Sequence, residues 1–221
     1  METRMDHRQA WDDRYSVEHF VFGREPNAFL KSCAGYLRPG MRALALADGE
    51  GRNGVWLAEQ GLDVLSTDIS PRAQEKARRL AADRNTDLSF ELVDLASWRW
   101  PPERFDLVVA IFIQFAGPDL RERIFEGIRS TLKPGGLLLL EGYRPEQVAF
   151  GTGGPPAADN MYTLDMLREA FADLEIIRLV AYDSDLREGI GHRGNSALVD
   201  LVARKRSAPA DGSGMSSNPW R

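Results

Sequence analysis

The residues best suited to chemistry stand close together in the first half of the chain. From Leu44 to Gly54 the run LALADGEGRNG sets Gly49, Gly51 and Gly54 in a G-x-G-x-x-G spacing. Glycines at a strand-to-helix turn let backbone approach a ligand without Cβ interference, and the N–H groups of the following helix then point at it. A nucleotide-like group is predicted to bind there, although the spacing alone does not choose between cofactors. Asp68 follows about 20 residues on, where an acid accepts hydrogen bonds from ribose hydroxyls. Asp94 closes the next apolar run, where its carboxylate would accept an adenine amine and Leu95 would supply backbone contacts. Both acids also have a plainer reading as helix N-caps, in DISPRAQE and DLASW.

Other chemistries find less support. Serines are scattered, and His7, His19 and His192 make no metal-ligand spacing with cysteine or paired carboxylates, so neither a triad nor a metal site is expected. The lone Cys33 excludes an internal disulfide framework and reads as a buried, inert thiol. A net charge of -5 argues against nucleic-acid binding. No apolar run approaches the ~18 to 20 residues that span a bilayer, and the charged N-terminus is unlike a signal peptide, so a cytoplasmic protein without a membrane partner is expected. His192, between glycines in EGIGHRG, is a candidate general base or acceptor ligand, with a plain turn histidine as the alternative.

The elements that must hold these residues alternate. Buried-strand runs ALALA, VLSTD, LSFELVD, FDLVVAIF and LLLLE are separated by helical patterns NGVWLAEQG, PRAQEKARRLAADR and DLRERIFEGIRSTLK. Such spacing predicts parallel βαβ units covered on both faces. A Gly/Pro-rich loop, GTGGPPAAD, then precedes a helix TLDMLREAFAD and two strands, LEIIRLVAYD and SALVDLVARK, expected to close the sheet as a hairpin. The fold predicted is α/β: a doubly wound, mostly parallel, seven-stranded Rossmann-like sheet with one antiparallel strand near the C-terminus. Residues 1–38 form an aromatic helical lead-in, with NAFLKSCAGYL as a helix and with Tyr15 and FGREPN expected either to fold over the bound ligand as a lid or to pack on the core; residues 39–204 form the main domain, and 205–221 a Ser/Gly/Pro-rich tail expected to be disordered.

The helix end, Pro-Gly-Gly turn and strand of LKPGGLLLLEG resemble the segment before strand five in class I S-adenosylmethionine (SAM) dependent methyltransferases. The glycine loop, Asp68, Asp94, FDLVVAIF and LKPGG occur in that family's order over residues 42–142. GEGRN, WDDRY and FGREPNAFL are similar to the small bacterial tellurite-resistance and thiopurine methyltransferases. NAD-dependent oxidoreductases share the glycine pattern but not LKPGG or the lead-in, and a non-catalytic SAM-binding module is the other rival.

The resemblance implies SAM as cofactor and S-adenosylhomocysteine (SAH) as product, with a small-molecule acceptor and a monomer or homodimer. It places Ala47, Asp48, Gly49, Glu50, Gly51, Arg52, Asn53, Asp68, Ile69, Asp94, Leu95 and Ile111 along the cofactor. Gln114, Phe115, Tyr143 and Arg144, after strands four and five, would line the acceptor pocket, with His192 and Tyr15 as catalytic candidates; Phe115 reads equally as core and Arg144 as a solvated charge. One departure stands out. The family's usual acid in strand one is replaced by Ala45, and Asp48 is expected to take over part of its role toward the methionine ammonium.

Overall fold

The computed structural model describes residues 4–155 and 157–207. The tail expected over 205–221 therefore lies outside the described residues from 208 on. In chain order, helices α1 (Arg4–Arg14) and α2 (Ala28–Ser32) precede β1 (Arg42–Ala45), α3 (Arg52–Glu59), β2 (Asp63–Asp68), α4 (Pro71–Asp83) and β3 (Ser89–Leu92). There follow β4 (Phe105–Ile111), α5 (Pro118–Thr131), β5 (Leu132–Tyr143), α6 (Gln147–Phe150), α7 (Leu164–Ala170), β6 (Leu174–Glu188) and β7 (His192–Lys205).

The seven strands form one sheet in the order β3-β2-β1-β4-β5-β7-β6. Pairs among the first five are parallel, and β7 runs antiparallel to both β5 and β6. This is the doubly wound sheet with one reversed strand that the sequence predicts. Alternation explains the continuous apolar runs: Leu44, Val108, Leu138 and Leu140 pack under α5 and α7, whereas Ala43, Val109, Leu139 and Val202 face Leu30, Cys33 and Leu57. Cys33 is buried as expected, and burial pushes its thiol pKa up. Among the described residues no helix is long and apolar enough to cross a membrane.

Four expectations need correction. The helix NAFLKSCAGYL breaks after Ser32 into a 3-10 turn at Ala34–Tyr36, although Phe29, Leu30, Cys33 and Leu37 still bury one side. LKPGG is not a turn outside the sheet: Leu132 already pairs with Phe105, and a register shift before Leu107 absorbs the Pro-Gly-Gly step. β3 stops at Leu92, so Asp94 stands in the loop beyond it. The last two strands are longer than their apolar cores because cross-strand pairing continues through polar residues to Glu188 and His192. His192 is therefore the first residue of β7 rather than part of the turn.

Candidate active site

A cavity of about 360 Å³ opens at the carboxyl edge of the parallel strands, where ligands of this architecture bind. Its floor is the turn from β1 to α3. Three residues there hold left-handed backbone: Ala47 (φ 47°), Gly49 (φ 58°) and Gly51 (φ 87°). At Gly51 a Cβ would lie 2.6 Å from Ala77 Cβ, so glycine lets α3 and α4 approach closely.

Two acids organise this turn. Asp68 Oδ2 accepts the Gly49 N–H at 2.9 Å and its Oδ1 accepts the Ser70 N–H at 2.8 Å. Burial outweighs these bonds and lifts its pKa to about 6. The cap of α4 is Ser70, whose Oγ accepts the Ala73 N–H at 3.1 Å, so Asp68 is not the N-cap. Asp48 Oδ2 accepts from Ser66 Oγ at 2.7 Å, and its carboxylate holds the Gly54 N–H in the first turn of α3. Burial raises its pKa to about 7. Both carboxylates face the cavity. Asp94 also lines it, closing a turn in which Oδ1 accepts the Ala96 N–H at 2.9 Å.

Of the positions expected along a cofactor, Ala47, Asp48, Gly49, Glu50, Arg52, Asn53, Asp68, Ile69, Asp94, Leu95 and Ile111 all line the cavity, and Gly51 does not. Three of them are also bound to other parts of the chain. Glu50 forms a buried 2.7 Å ion pair with Lys76 and accepts the Phe22 N–H at 3.1 Å. Arg52 pairs with Glu188 at 2.7 Å, and Asn53 Oδ1 accepts the Asn27 N–H at 2.9 Å. The glycine turn thus anchors both the lead-in and the tip of the β6–β7 hairpin.

The acceptor-side expectations divide. Phe115 lines the cavity; Gln114, Tyr143 and Arg144 do not. Gln114 is buried and clamps the Tyr143 backbone, accepting its N–H at 2.6 Å and donating to its carbonyl at 2.8 Å, so it ties β4 to β5. Arg144 is drawn away by ion pairs to Asp183 and, at 3.4 Å, to Glu146. Tyr143 stands behind the wall, its hydroxyl 2.6 Å from His192 Nδ1.

His192 itself lines the cavity, stacked on Phe112 at 4.2 Å between ring centroids and packed on Phe22 at 4.6 Å. Burial, with the charges of Arg52 and Arg14, holds its pKa well below 6.5, so the ring is neutral. Phe112 reaches this stack from a left-handed backbone, φ 54°, just past β4. Tyr15 is buried against the glycine turn; its Oη lies 2.8 Å from where a Gly49 Cβ would stand.

Phe22 belongs to the FGREPN segment expected to fold over the cofactor, whereas the sequence did not single out His7, Trp11 or Phe112 for the wall. The signal for two of them was present: His7 and Trp11 precede Tyr15 at steps of four, one stripe along α1. Phe112 offers no comparable pattern, because its left-handed turn follows an unremarkable strand.

Comparison with known proteins agrees with this geometry. Residues 43–136 match the family described as Methyltransferase domain. An uncharacterized methyltransferase of Synechocystis is 31% identical over 55% of this chain and 55% of its own length. Mouse glycine N-methyltransferase is 28% identical over 55% of this chain and 46% of its own. The chain spans about half the length of these curated relatives. A structure reported for the conversion of a disulfide bond into a thioacetal group during echinomycin biosynthesis superposes with a TM-score of 0.75 at 18% identity, covering 92% of this chain and 93% of that one. TehB from Haemophilus influenzae superposes with a TM-score of 0.66 at 19% identity, covering 90% and 67%. The fold is that of class I SAM-dependent methyltransferases, and residues 43–136 carry the similarity to the methyltransferase-domain family. In fold the chain resembles TehB.

Proposed function

We propose that the protein transfers a methyl group from SAM to a small-molecule acceptor. The observation that carries this reading is the cavity at the carboxyl edge of the sheet, lined by the glycine turn and Asp68 together with His192 and Phe115. SAM would supply an electrophilic methyl carbon whose bonding pair returns to sulfur as the acceptor's lone pair forms the new bond.

The chain's own residues fit that group. Each Asp68 oxygen accepts one amide and keeps acceptor capacity for ribose hydroxyls. Asp48, facing the cavity one residue before Gly49, supplies the charge for the methionine ammonium that Ala45 lacks. Asp94 and Leu95 would hold the adenine. Displacement at carbon needs alignment and exclusion of water. Helix α1, with His7 and Trp11 in the cavity wall, serves as the lid, and Asp12 fastens it by accepting from Ser70 Oγ at 2.7 Å. The three-part division into lid (1–38), SAM-binding domain (39–204) and tail (205–221) belongs to this reading, as does a cytoplasmic location. His192 and Tyr15 stand at the junction of the two subsites.

The test is SAH release from SAM across a panel of thiol, hydroxyl, amine and metalloid oxyanion acceptors. Turnover with at least one class is expected. SAM binding without turnover by any class would favour a non-catalytic SAM-binding module.

A further inference from the structure

The cavity wall contains an unbroken chain of aromatic rings. His7 lies 5.5 Å from Phe115, which lies 6.4 Å from Trp11; Trp11 stacks on Tyr15 at 5.8 Å. Tyr15 meets Phe22 at 6.1 Å, Phe22 meets His192 at 4.6 Å, and His192 meets Phe112 at 4.2 Å. Every ring of this belt lines the cavity. The carboxylates in the wall belong to the glycine turn, the end of β2 and the loop after β3; the belt's own polar groups are the His7 and His192 rings, the Trp11 indole N–H and the Tyr15 hydroxyl.

Charge narrows what the belt would take. Arg52 is the single Lys or Arg among the described wall residues, and Glu188 neutralises it at 2.7 Å. Among the described residues the wall itself offers an oxyanion no unpaired cation, and the Arg14 guanidinium is engaged over the Trp11 and Phe22 rings at 5.3 and 5.0 Å. A cationic amine beside His192 would meet the field of Arg14, which acts on that ring. A flat, neutral ring matches the offset and edge-on contacts that aromatic walls provide.

His192 defines the reacting atom. The Tyr143 hydroxyl has no hydrogen-bond partner among the described residues except His192 Nδ1, 2.6 Å away. A buried phenol O–H left unpaired is costly, so it donates to Nδ1 and the imidazole proton resides on Nε2. Among the described residues Nε2 has no hydrogen-bond partner, and His192 forms part of the cavity wall. It thus presents an N–H donor, not a base. A ring nitrogen bonded to it would lose its single lone pair, and sulfur is a weak acceptor; an aryl oxygen accepts the bond and keeps lone pairs for attack.

We infer that the acceptor is a small phenol, held in the aromatic belt with its oxygen on His192 Nε2–H. The inference rests on the methyl-transfer reading. The phenol ionises to water first; the phenolate oxygen then forms the C–O bond, the S–C pair returns to sulfur, and an aryl methyl ether and SAH result.

Calorimetry on the SAH-saturated protein compares phenol with cyclohexanol, which shares the hydroxyl and ring size but lacks the π face. Phenol is expected to bind about tenfold tighter or better. Phe115→Leu, which keeps apolar volume, should erase most of that margin while SAH affinity is retained. The absorbance of bound 4-nitrophenol should show ionisation at lower pH in the parent than in His192→Phe. Equal binding of phenol and cyclohexanol, tighter binding of selenite or tetramethylammonium, or an unchanged 4-nitrophenol titration in His192→Phe would overturn the inference alone. A parent protein that binds no SAH would overturn the methyl-transfer reading with it.

Discussion

The Tyr143 hydroxyl lies 2.6 Å from His192 Nδ1, and the two side chains are buried together beneath Phe112. Tyr143 touches no cavity surface, so it acts on the acceptor only through His192. Tyr143→Phe removes the donor that fixes the tautomer. A fall in kcat of about tenfold is expected, with SAH affinity unchanged, because the reorienting cost is that of roughly one hydrogen bond. Steady-state kinetics beside SAH titration measures both. A loss confined to thermal stability would mean that the pair is only structural.

Asp68 and Asp48 should separate in their effects. Asp68→Ala removes the acceptor for the Gly49 N–H as well as the proposed ribose contact, and SAH affinity is expected to fall about 100-fold. Asp48→Asn keeps an oxygen for Gly54 but loses the charge, so SAM and SAH should weaken by about tenfold while the fold stays intact. Calorimetry with circular dichroism distinguishes lost binding from lost structure.

The raised pKa of Asp48, about 7, gives the ligand-free protein a pH signature. The folded state binds this proton more tightly than the unfolded chain. Its contribution to stability is present at low pH and declines as pH rises from about 4 toward 7; Asp68, raised to about 6, acts in the same direction. A cationic ammonium beside Asp48 would lower that pKa again. Binding of SAM near pH 6.5 should therefore release a proton, detected as a binding heat that varies with the ionisation enthalpy of the buffer. A buffer-independent heat would remove Asp48 from the ammonium site.

Asn27 joins the lead-in to the sheet. Its Oδ1 caps α2 by accepting the Leu30 N–H at 2.9 Å, and its Nδ2 donates to Glu141 Oε1 at 2.7 Å. The residue is fully buried. Asn27→Ala removes a cap and leaves Glu141 short of a partner, for an expected loss of about 3 kcal/mol. Chemical denaturation measures it, and a change under about 1 kcal/mol would show that water replaces the amide.

Much of this arrangement was legible in the chain. The sheet follows from apolar runs of strand length alternating with helical stripes, and the glycine turn with Asp68 follows from spacing. What stayed hidden depended on contacts distant in sequence. The resemblance of GEGRN puts Glu50, Arg52 and Asn53 along the cofactor, and they do line the cavity, but nothing in the sequence shows that Lys76, Glu188 and Asn27 hold their polar ends. Arg144 reads as an acceptor-pocket residue until Asp183, on a strand extended through polar residues, is seen beside it. His192 reads as a turn residue because strand pairing, unlike hydropathy, continues through charged positions.

The central claim is that the cavity at the carboxyl edge of the sheet holds the adenosyl cofactor. Calorimetric titration of the protein with SAH, and separately with NAD, tests it most directly. Saturable binding of SAH in the micromolar range, abolished or strongly weakened in Asp68→Ala, and no heat with NAD are the predicted results. Binding of NAD instead of SAH, or SAH binding that Asp68→Ala leaves unchanged, would contradict it.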